Sequence, residues 1–213
     1  KVLFEGLWPL PVGVSYNSYI VKDEKIALID TVESGFEEEF LSNIDEVVEG
    51  RMIDYLIVNH MEPDHSSLIA LMLERYPQLM IVANSKTVPM LQGYYGVPQE
   101  KVLIMGEGES LNLGTCSLRF HMIPMVHWPE VMMTYESATK TLFSADGFGK
   151  FGALDADEDW ACEARRYYFG IVGKYGAQVQ AVLKKVGGLD IKIICLTATY
   201  TCRIFVVQEK KKV

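Results

Sequence analysis

The sequence predicts an α/β fold in four layers, an αββα sandwich in which two mixed β-sheets pack together between outer helices. Two observations support this prediction. Short apolar runs that suit buried strands alternate with amphipathic segments of helical period. Some neighbouring runs are joined by short polar turns, which predicts hairpins and therefore antiparallel strands beside parallel ones. At 213 residues the chain forms one large domain or two small ones.

The first elements are a hairpin and a helix. Apolar runs at Val14–Val21 and Ile26–Ile29 flank a polar turn, so they predict two antiparallel strands. Gly35–Val48 carries apolar residues three and four positions apart, which predicts an amphipathic helix. Its acidic residues Glu37–Glu39 suit the solvent-exposed face and the first helical turn.

The next segment combines a strand, a polar stretch and a helix. Ile53–Val58 predicts a buried strand, and Leu68–Tyr76 predicts a helix with Ser66 or Ser67 as its N-cap. The polar stretch NHMEPDHSS lies between them. Loops that follow strands in α/β folds commonly carry functional sites, so this stretch is the first candidate.

The rest of the chain continues the alternation of strands and helices. The predicted strands are Met80–Ala83, Val102–Met105, Leu118–Ile123, Met132–Tyr135, Thr141–Phe143 and Ile191–Cys195. The predicted helices are Ser85–Tyr95 and Trp160–Val186, the latter with a break at Gly170–Gly176. The acidic stretch Asp155–Asp159 predicts a surface loop or the start of a helix.

Composition excludes several classes of function. The net charge of −8 argues against a nucleic-acid or anionic-membrane partner. The sequence has no long apolar span and no secretory leader, so we expect a soluble, cytoplasmic protein. The four cysteines form no CxxC pair, which predicts reduced thiols and no cysteine zinc site. No glycine-rich phosphate-binding loop is present.

The polar stretch holds four potential metal ligands, His60, Glu62, Asp64 and His65, within six residues. Alternate residues of an extended segment point the same way, so His60, Glu62 and Asp64 can face one pocket if the segment is extended or gently turned. Pro63 favours an extended conformation at Glu62, which supports that geometry. His65 would then point elsewhere, unless the chain turns at the start of the following helix.

Two further candidates lie in later loops. His127 lies in a loop between two prolines, and Asp146 ends a strand just before Gly147. Taken alone, His127 would more often be a hydrogen-bonded core histidine, and Asp146 a turn residue. Together the six residues are too rich in oxygen for a structural zinc site and suit two iron or manganese ions sharing a carboxylate. Zinc remains an alternative, and we expect His121 to be structural.

The sequence contains three motifs, HxExDH at 60–65, HWPE at 127–130 and SADGFG at 144–149. These motifs resemble those of the metallo-β-lactamase-like domain of flavodiiron proteins, which are cytosolic reductases of dioxygen and nitric oxide. Hydrolytic zinc members of the superfamily usually carry HxHxDH, and here Glu62 replaces the second histidine. The resemblance implies a metallo-β-lactamase-like diiron domain over residues 1–195 and an atypical tail over residues 196–213.

The resemblance also implies a role for each candidate ligand. His60, Glu62 and His127 would hold one iron, Asp64 would hold the second, and Asp146 would bridge them. His65 occupies a ligand position that not all members of the family use. Trp128 would line the pocket or serve in packing.

Two departures from the family follow. A further histidine of the family would fall at Ala198, so His65 becomes the expected substitute. One interpretation of the tail is a truncated or frame-shifted gene product. The family's flavodoxin-like domain, which carries FMN, is not in this sequence. We therefore expect electrons from a separate flavodoxin-like, rubredoxin-like or other donor protein, and we expect a homodimer.

Three hypotheses result. The first is a diiron oxidoreductase that reduces dioxygen or nitric oxide. The second is a zinc-dependent metallo-hydrolase of the same superfamily, in which Asp64 would position a metal-bound water. The third is a catalytically impaired remnant that binds metal without turnover.

Overall fold

A computed structural model of the chain describes residues 3–4, 8–10, 13, 15–152, 159–196, 198–200 and 203–206. In chain order the strands are β1 (Leu3–Phe4), β2 (Trp8–Pro9), β3 (Ser15–Lys22), β4 (Ile26–Ile29), β5 (Tyr55–Ile57), β6 (Met80–Ala83), β7 (Val102–Ile104), β8 (Ser110–Asn112), β9 (Ser117–Met122), β10 (Met132–Glu136), β11 (Thr141–Phe143), β12 (Ile193–Cys195), β13 (Ala198–Tyr200) and β14 (Arg203–Val206).

Six α-helices are described. They are α1 (Glu37–Val48), α2 (Pro63–Ser66), α3 (Ile69–Arg75), α4 (Thr87–Tyr95), α5 (Trp160–Tyr167) and α6 (Gly176–Val186). A π-helical turn, Tyr168–Val172, and a 3-10 turn, Gly173–Tyr175, connect α5 to α6, and a second 3-10 turn spans Gln99–Lys101. None of the helices in the described part of the chain is long and apolar enough to cross a bilayer.

The larger sheet places the ends of parallel strands side by side. Its strand order is β13-β3-β4-β5-β6-β7, with β14 also paired to β3. β3 and β4 form an antiparallel hairpin, whereas β4 to β7 run parallel, with Ile29 opposite Ile57. Because parallel strands end at the same edge of a sheet, the residues after Ile29 and Ile57 emerge next to each other.

The smaller sheet has the order β12-β11-β10-β9-β8. β8 to β11 are antiparallel neighbours, and β12 lies parallel to β11. Both sheets therefore contain parallel as well as antiparallel strands. Two of the three motifs lie in the connection from β9 to β10 and in the segment after β11.

Two apolar clusters hold the layers together. One contains Tyr19, Ile57 and Val82 from the larger sheet and Phe120 and Phe143 from the smaller, so it lies between the sheets. The other joins the sheets to the helices through buried residues that include Phe40, Ile44, Ile69, Leu91 and Val182. Fully burying a side chain such as Phe40 stabilises the fold by about 1.5–3 kcal/mol. The predicted αββα sandwich is confirmed.

Several local predictions differ from the structure. Pro63 begins helix α2, so the polar stretch is extended only as far as Glu62, and the predicted extended geometry is wrong for Asp64. Proline suits the first turn of a helix, where its missing N–H is not needed. The predicted N-caps are also wrong: Ser66 ends α2, and α3 follows Leu68.

Other boundaries hold or fall outside the described residues. The break in the last long helix is confirmed by the π-helical and 3-10 turns. Strand β8 was not predicted. Val14, Cys202, most of the 155–159 stretch and residues 207–213 lie outside the described residues. Beyond residue 195, β13 and β14 pair with β3, and Ala198 lies opposite Tyr16.

Candidate metal centre

The predicted metal ligands converge on one buried cluster from three segments of the chain. The first segment carries His60 and Glu62 after β5 and then Asp64 and His65 on α2. The second carries His127 between β9 and β10, and the third carries Asp146 after β11. All six are buried. The chain buries charged and titratable groups here at a cost in solvation, which a bound cation can offset.

Four of these residues form one compact set. One ligand atom from each of His60, Glu62, His127 and Asp146 lies within 4.8 Å of the others. Glu62 Oε2 is 3.1 Å from His60 Nε2 and 2.9 Å from His127 Nε2. Asp146 Oδ2 is 3.1 Å from His127 Nε2. Ligand atoms bound at about 2.1 Å around a tetrahedral or octahedral ion lie about 3.0–3.4 Å apart, so the set fits a metal.

A second set shares Asp146. His65 Nε2 is 2.9 Å from Asp146 Oδ1 and 3.8 Å from Asp64 Oδ1. That Asp64 oxygen is buried and has no hydrogen-bond partner. A buried carboxylate oxygen without a partner is costly unless it binds a cation. The two oxygens of Asp146 thus face different histidines, which is the arrangement of a bridging carboxylate.

Two further carboxylates, those of Glu130 and Asp30, lie next to the Nδ1 atoms of His60 and His65. Glu130 Oε1 is 2.8 Å from His60 Nδ1 and accepts a hydrogen bond from the Met61 backbone N–H at 3.0 Å. When Nδ1 donates its proton to a carboxylate, Nε2 is left free to bind a metal. This arrangement is therefore that of a supported metal ligand.

Asp30 lies next to His65 in the second set, as Glu130 lies next to His60 in the first. Its Oδ2 is 3.4 Å from His65 Nδ1, and its Oδ1 accepts a hydrogen bond from the Asn59 backbone N–H at 2.7 Å. Sequence reasoning missed the roles of Asp30 and Glu130, although Glu130 lies in the HWPE motif. The parallel pairing of β4 with β5 is the signal that could have placed Asp30 beside the polar stretch.

The segment that carries Asp146 has little conformational freedom. Ala145 lies in the left-handed region at φ 49°, where residues other than glycine are uncommon. A Cβ atom on Gly147 would lie 2.5 Å from Met133 Cε and 2.9 Å from the Ser144 carbonyl oxygen. The Ser144 hydroxyl donates to the Gly147 carbonyl at 2.7 Å. These close contacts therefore favour glycine at position 147.

Burial and mutual charge shift the pKa values of the cluster. Burial raises the pKa of Asp64 to about 7. Burial lowers the pKa of His127, but the carboxylates of Asp146 and Glu62 outweigh it and raise that pKa to about 10. The pKa of His65 is likewise raised against the effect of burial, chiefly by Asp146. Without metal, the cluster therefore holds protons that an arriving cation must displace.

The remaining predicted residues have other surroundings. The Trp128 ring packs edge-on against His60, with 5.3 Å between ring centroids. His121 Nδ1 is 3.2 Å from Glu107 Oε1, so this histidine pairs with Glu107 and not with the candidate ligands. Among the described residues no disulfide forms, and Cys116, Cys162 and Cys195 remain thiols as predicted.

The chain is similar in sequence to one protein family and to several known proteins. The family described as ODP family beta lactamase matches residues 14–195. The anaerobic nitric oxide reductase flavorubredoxin of Aliivibrio fischeri is 32% identical over 198 residues, which cover 89% of this chain and 40% of that protein. The putative diflavin flavoprotein A 2 of Synechocystis is 36% identical over 197 residues, covering 90% of this chain and 34% of that protein.

Solved structures of two further proteins are similar to the structure of this chain. The flavodiiron protein from Giardia intestinalis superposes with a TM-score of 0.86 and 30% identity, covering 94% of this chain and 51% of that chain. The rubredoxin oxygen:oxidoreductase from Desulfovibrio gigas gives a TM-score of 0.84 and 30% identity, covering 94% and 52%. The chain spans about half, or less, of the length of the relatives that it matches.

Proposed function

We propose that this chain, which belongs to the ODP family of beta-lactamases, is the metal-binding part of a diiron oxidoreductase that reduces dioxygen or nitric oxide. The observation that carries the proposal is the position of Asp146. Its two carboxylate oxygens face histidines of two different candidate metal sites. That arrangement suits a pair of ions that act on one small substrate.

The donor set fits two ions of iron character. His60, Glu62 and His127 would hold one, Asp64 and His65 would hold the other, and Asp146 would be shared. Nitrogen and carboxylate oxygen ligands together suit iron or manganese, and zinc is a weaker substitute. When bound, two ferrous ions would supply electrons and Lewis acidity to a diatomic substrate.

Neighbouring side chains support these ligands. Glu130 and Asp30 fix the tautomers of His60 and His65, and the Trp128 ring shields one edge of His60 from solvent. The Tyr167 side chain is buried, and burial together with the carboxylates of Asp146 and Glu62 raises its pKa. Tyr167 therefore stays a neutral phenol beside the site, able to donate a proton in a hydrogen bond.

The proposed reduction needs an electron donor. Two relatives carry names that refer to rubredoxin or flavorubredoxin. We therefore propose that an FMN-carrying flavodoxin-like domain or partner, or a rubredoxin-like protein, reduces the metals. A cytoplasmic homodimer remains part of the proposal.

No specific observation favours the hydrolase hypothesis. A hydrolytic zinc site needs an open coordination position and a metal-bound water of lowered pKa. Here Glu62 occupies the place of an imidazole and lies between His60 and His127. The additional carboxylate favours redox-active iron over hydrolytic zinc.

Metal analysis tests the proposed function. Protein produced in iron-replete medium is expected to contain about two irons per chain and to consume dioxygen or nitric oxide with a supplied reductant. His60→Ala should remove the iron held by His60, Glu62 and His127 and abolish consumption of either gas. His121→Ala is the matched control, because His121 contacts Glu107 instead of the cluster. Stoichiometric zinc without iron, together with no reduction of either gas, would refute the proposal.

A further inference from the structure

Helix α2 carries two of the candidate ligands, yet it is a single turn of four residues, Pro63–Ser66. A helix this short is not stable on its own, because fixing the first turn costs more free energy than its few hydrogen bonds return. The positions of Asp64 and His65 therefore depend on the contacts that hold α2 from neighbouring elements.

One support for α2 comes from the end of β4. The backbone N–H and the hydroxyl of Thr31 both donate to the His65 carbonyl oxygen, at 2.7 and 2.9 Å. The same hydroxyl accepts a hydrogen bond from the Leu68 backbone N–H at 3.3 Å. These contacts fix the C-terminal end of α2 and the start of α3.

The second support comes from α4. Its buried residues Thr87 and Leu91 lie four positions apart, and Tyr95, four positions further on, shares their face of the helix. Tyr95 therefore points toward the interior at the last turn of α4. Its hydroxyl oxygen lies 2.8 Å from Ser66 Oγ at the end of α2.

The direction of this hydrogen bond follows from the other partners of Ser66. Ser66 Oγ lies 2.9 Å from the Met61 carbonyl oxygen and 3.0 Å from the Glu62 carbonyl oxygen. Carbonyl oxygens only accept, so all three contacts are satisfied together when Ser66 donates to the carbonyls and the Tyr95 hydroxyl donates to Ser66. Hydrogen bonds in such a chain strengthen one another. The chain ties α4 to the point where the extended backbone of Glu62 passes into α2.

We propose that Tyr95 is a positioning residue for the second candidate metal site. Its hydroxyl acts through Ser66 and holds α2 so that Asp64 and His65 face Asp146. Ser66 is buried, so water does not readily replace a lost Tyr95 hydroxyl. The inference rests on the proposed function only in treating Asp64 and His65 as metal ligands.

Titration of metal-free protein with cobalt(II), followed by the visible absorption of the bound ion, tests the inference. Tyr95→Phe removes only the hydroxyl and should weaken binding of one of two cobalt ions about 10-fold, the lower end of the range for groups that support metal ligands. The other ion should bind as it does to the unmodified protein, which a general loss of stability would not produce. Tyr94→Phe is the matched control, because Tyr94 is the neighbouring tyrosine of α4 and is 61% exposed. Equal affinities in the two variants would overturn the inference.

A double-mutant cycle with Ser66→Ala tests whether Tyr95 acts through Ser66. In the Ser66→Ala background, Tyr95→Phe should change the cobalt affinity no further, because the hydroxyl that Tyr95 contacts is already gone. Additive effects of the two substitutions would overturn the route through Ser66. Binding of a single cobalt ion by the unmodified protein would overturn the inference, whereas failure of the iron-loaded protein to reduce either gas would refute only the proposed function.

Discussion

His65 Nε2 lies 2.9 Å from Asp146 Oδ1, and the other oxygen of that carboxylate lies 3.1 Å from His127 Nε2. This contact places His65 in the cluster, which the sequence allows only if the chain turns at the start of a helix. Helix α2 turns the chain after Glu62 and so points His65 inward. We therefore propose that His65 supplies the imidazole that the resemblance would place at position 198.

The first prediction concerns His65. His65→Ala should remove one of the two metal equivalents and leave the other in place, because His60, Glu62 and His127 do not depend on it. Metal content after dialysis measures this, with His121→Ala as the control that retains both. Retention of two tightly bound ions by His65→Ala would show that His65 is not a ligand.

The second prediction concerns Glu130. Glu130→Ala removes the acceptor for His60 Nδ1 and for the Met61 backbone N–H. Loss of such a supporting carboxylate typically lowers metal affinity about 10–100-fold. Competition with a chromophoric chelator measures the change, and Glu107→Ala is the control, since Glu107 contacts His121 outside the cluster. Equal affinities for the two variants would contradict the supporting role.

The third prediction concerns Gly147. Gly147→Ala should destabilise the fold by about 1–3 kcal/mol, because the new methyl group would overlap Met133 and the Ser144 backbone. Denaturant titration measures the change. In the matched control Gly93→Ala, nothing lies within 4 Å of the new Cβ atom in helix α4, so a gain of about 0.4–1 kcal/mol is expected.

The fourth prediction concerns pH. In metal-free protein the raised pKa of His127, about 10, keeps this imidazole protonated at neutral pH. Binding of a cation must displace that proton, so affinity should rise with pH. Asp64, with a pKa of about 7, adds a further proton below pH 7 and should make the dependence steeper there. Calorimetry in buffers of different ionisation enthalpy measures the protons released. Metal binding without proton release at pH 7 would contradict the assignment.

The sequence predicted the layers and the six candidate ligands because both depend on local patterns. Apolar runs mark the strands, and the density of ligands between His60 and His65 marks the cluster. Strand β8 escaped prediction because only one of its three side chains is buried, so it lacks an apolar run.

Contacts between distant segments could not be predicted in this way. Glu130 meets His60 across 70 positions, and Asp30 meets His65 across 35. Nothing in the local pattern of either carboxylate distinguishes it from a surface or turn residue. The prediction for Pro63 concerned only the extended backbone of Glu62. Proline also suits the first turn of a helix, and this second property decides where Asp64 and His65 point.

Anomalous scattering at the iron edge, from crystals of protein loaded anaerobically with ferrous iron, tests the central claim most directly. The account predicts two iron peaks on opposite sides of Asp146. One should lie among His60, Glu62 and His127, and the other should lie against Asp64 and His65. A single peak, or two zinc ions that ferrous iron does not replace, would contradict it.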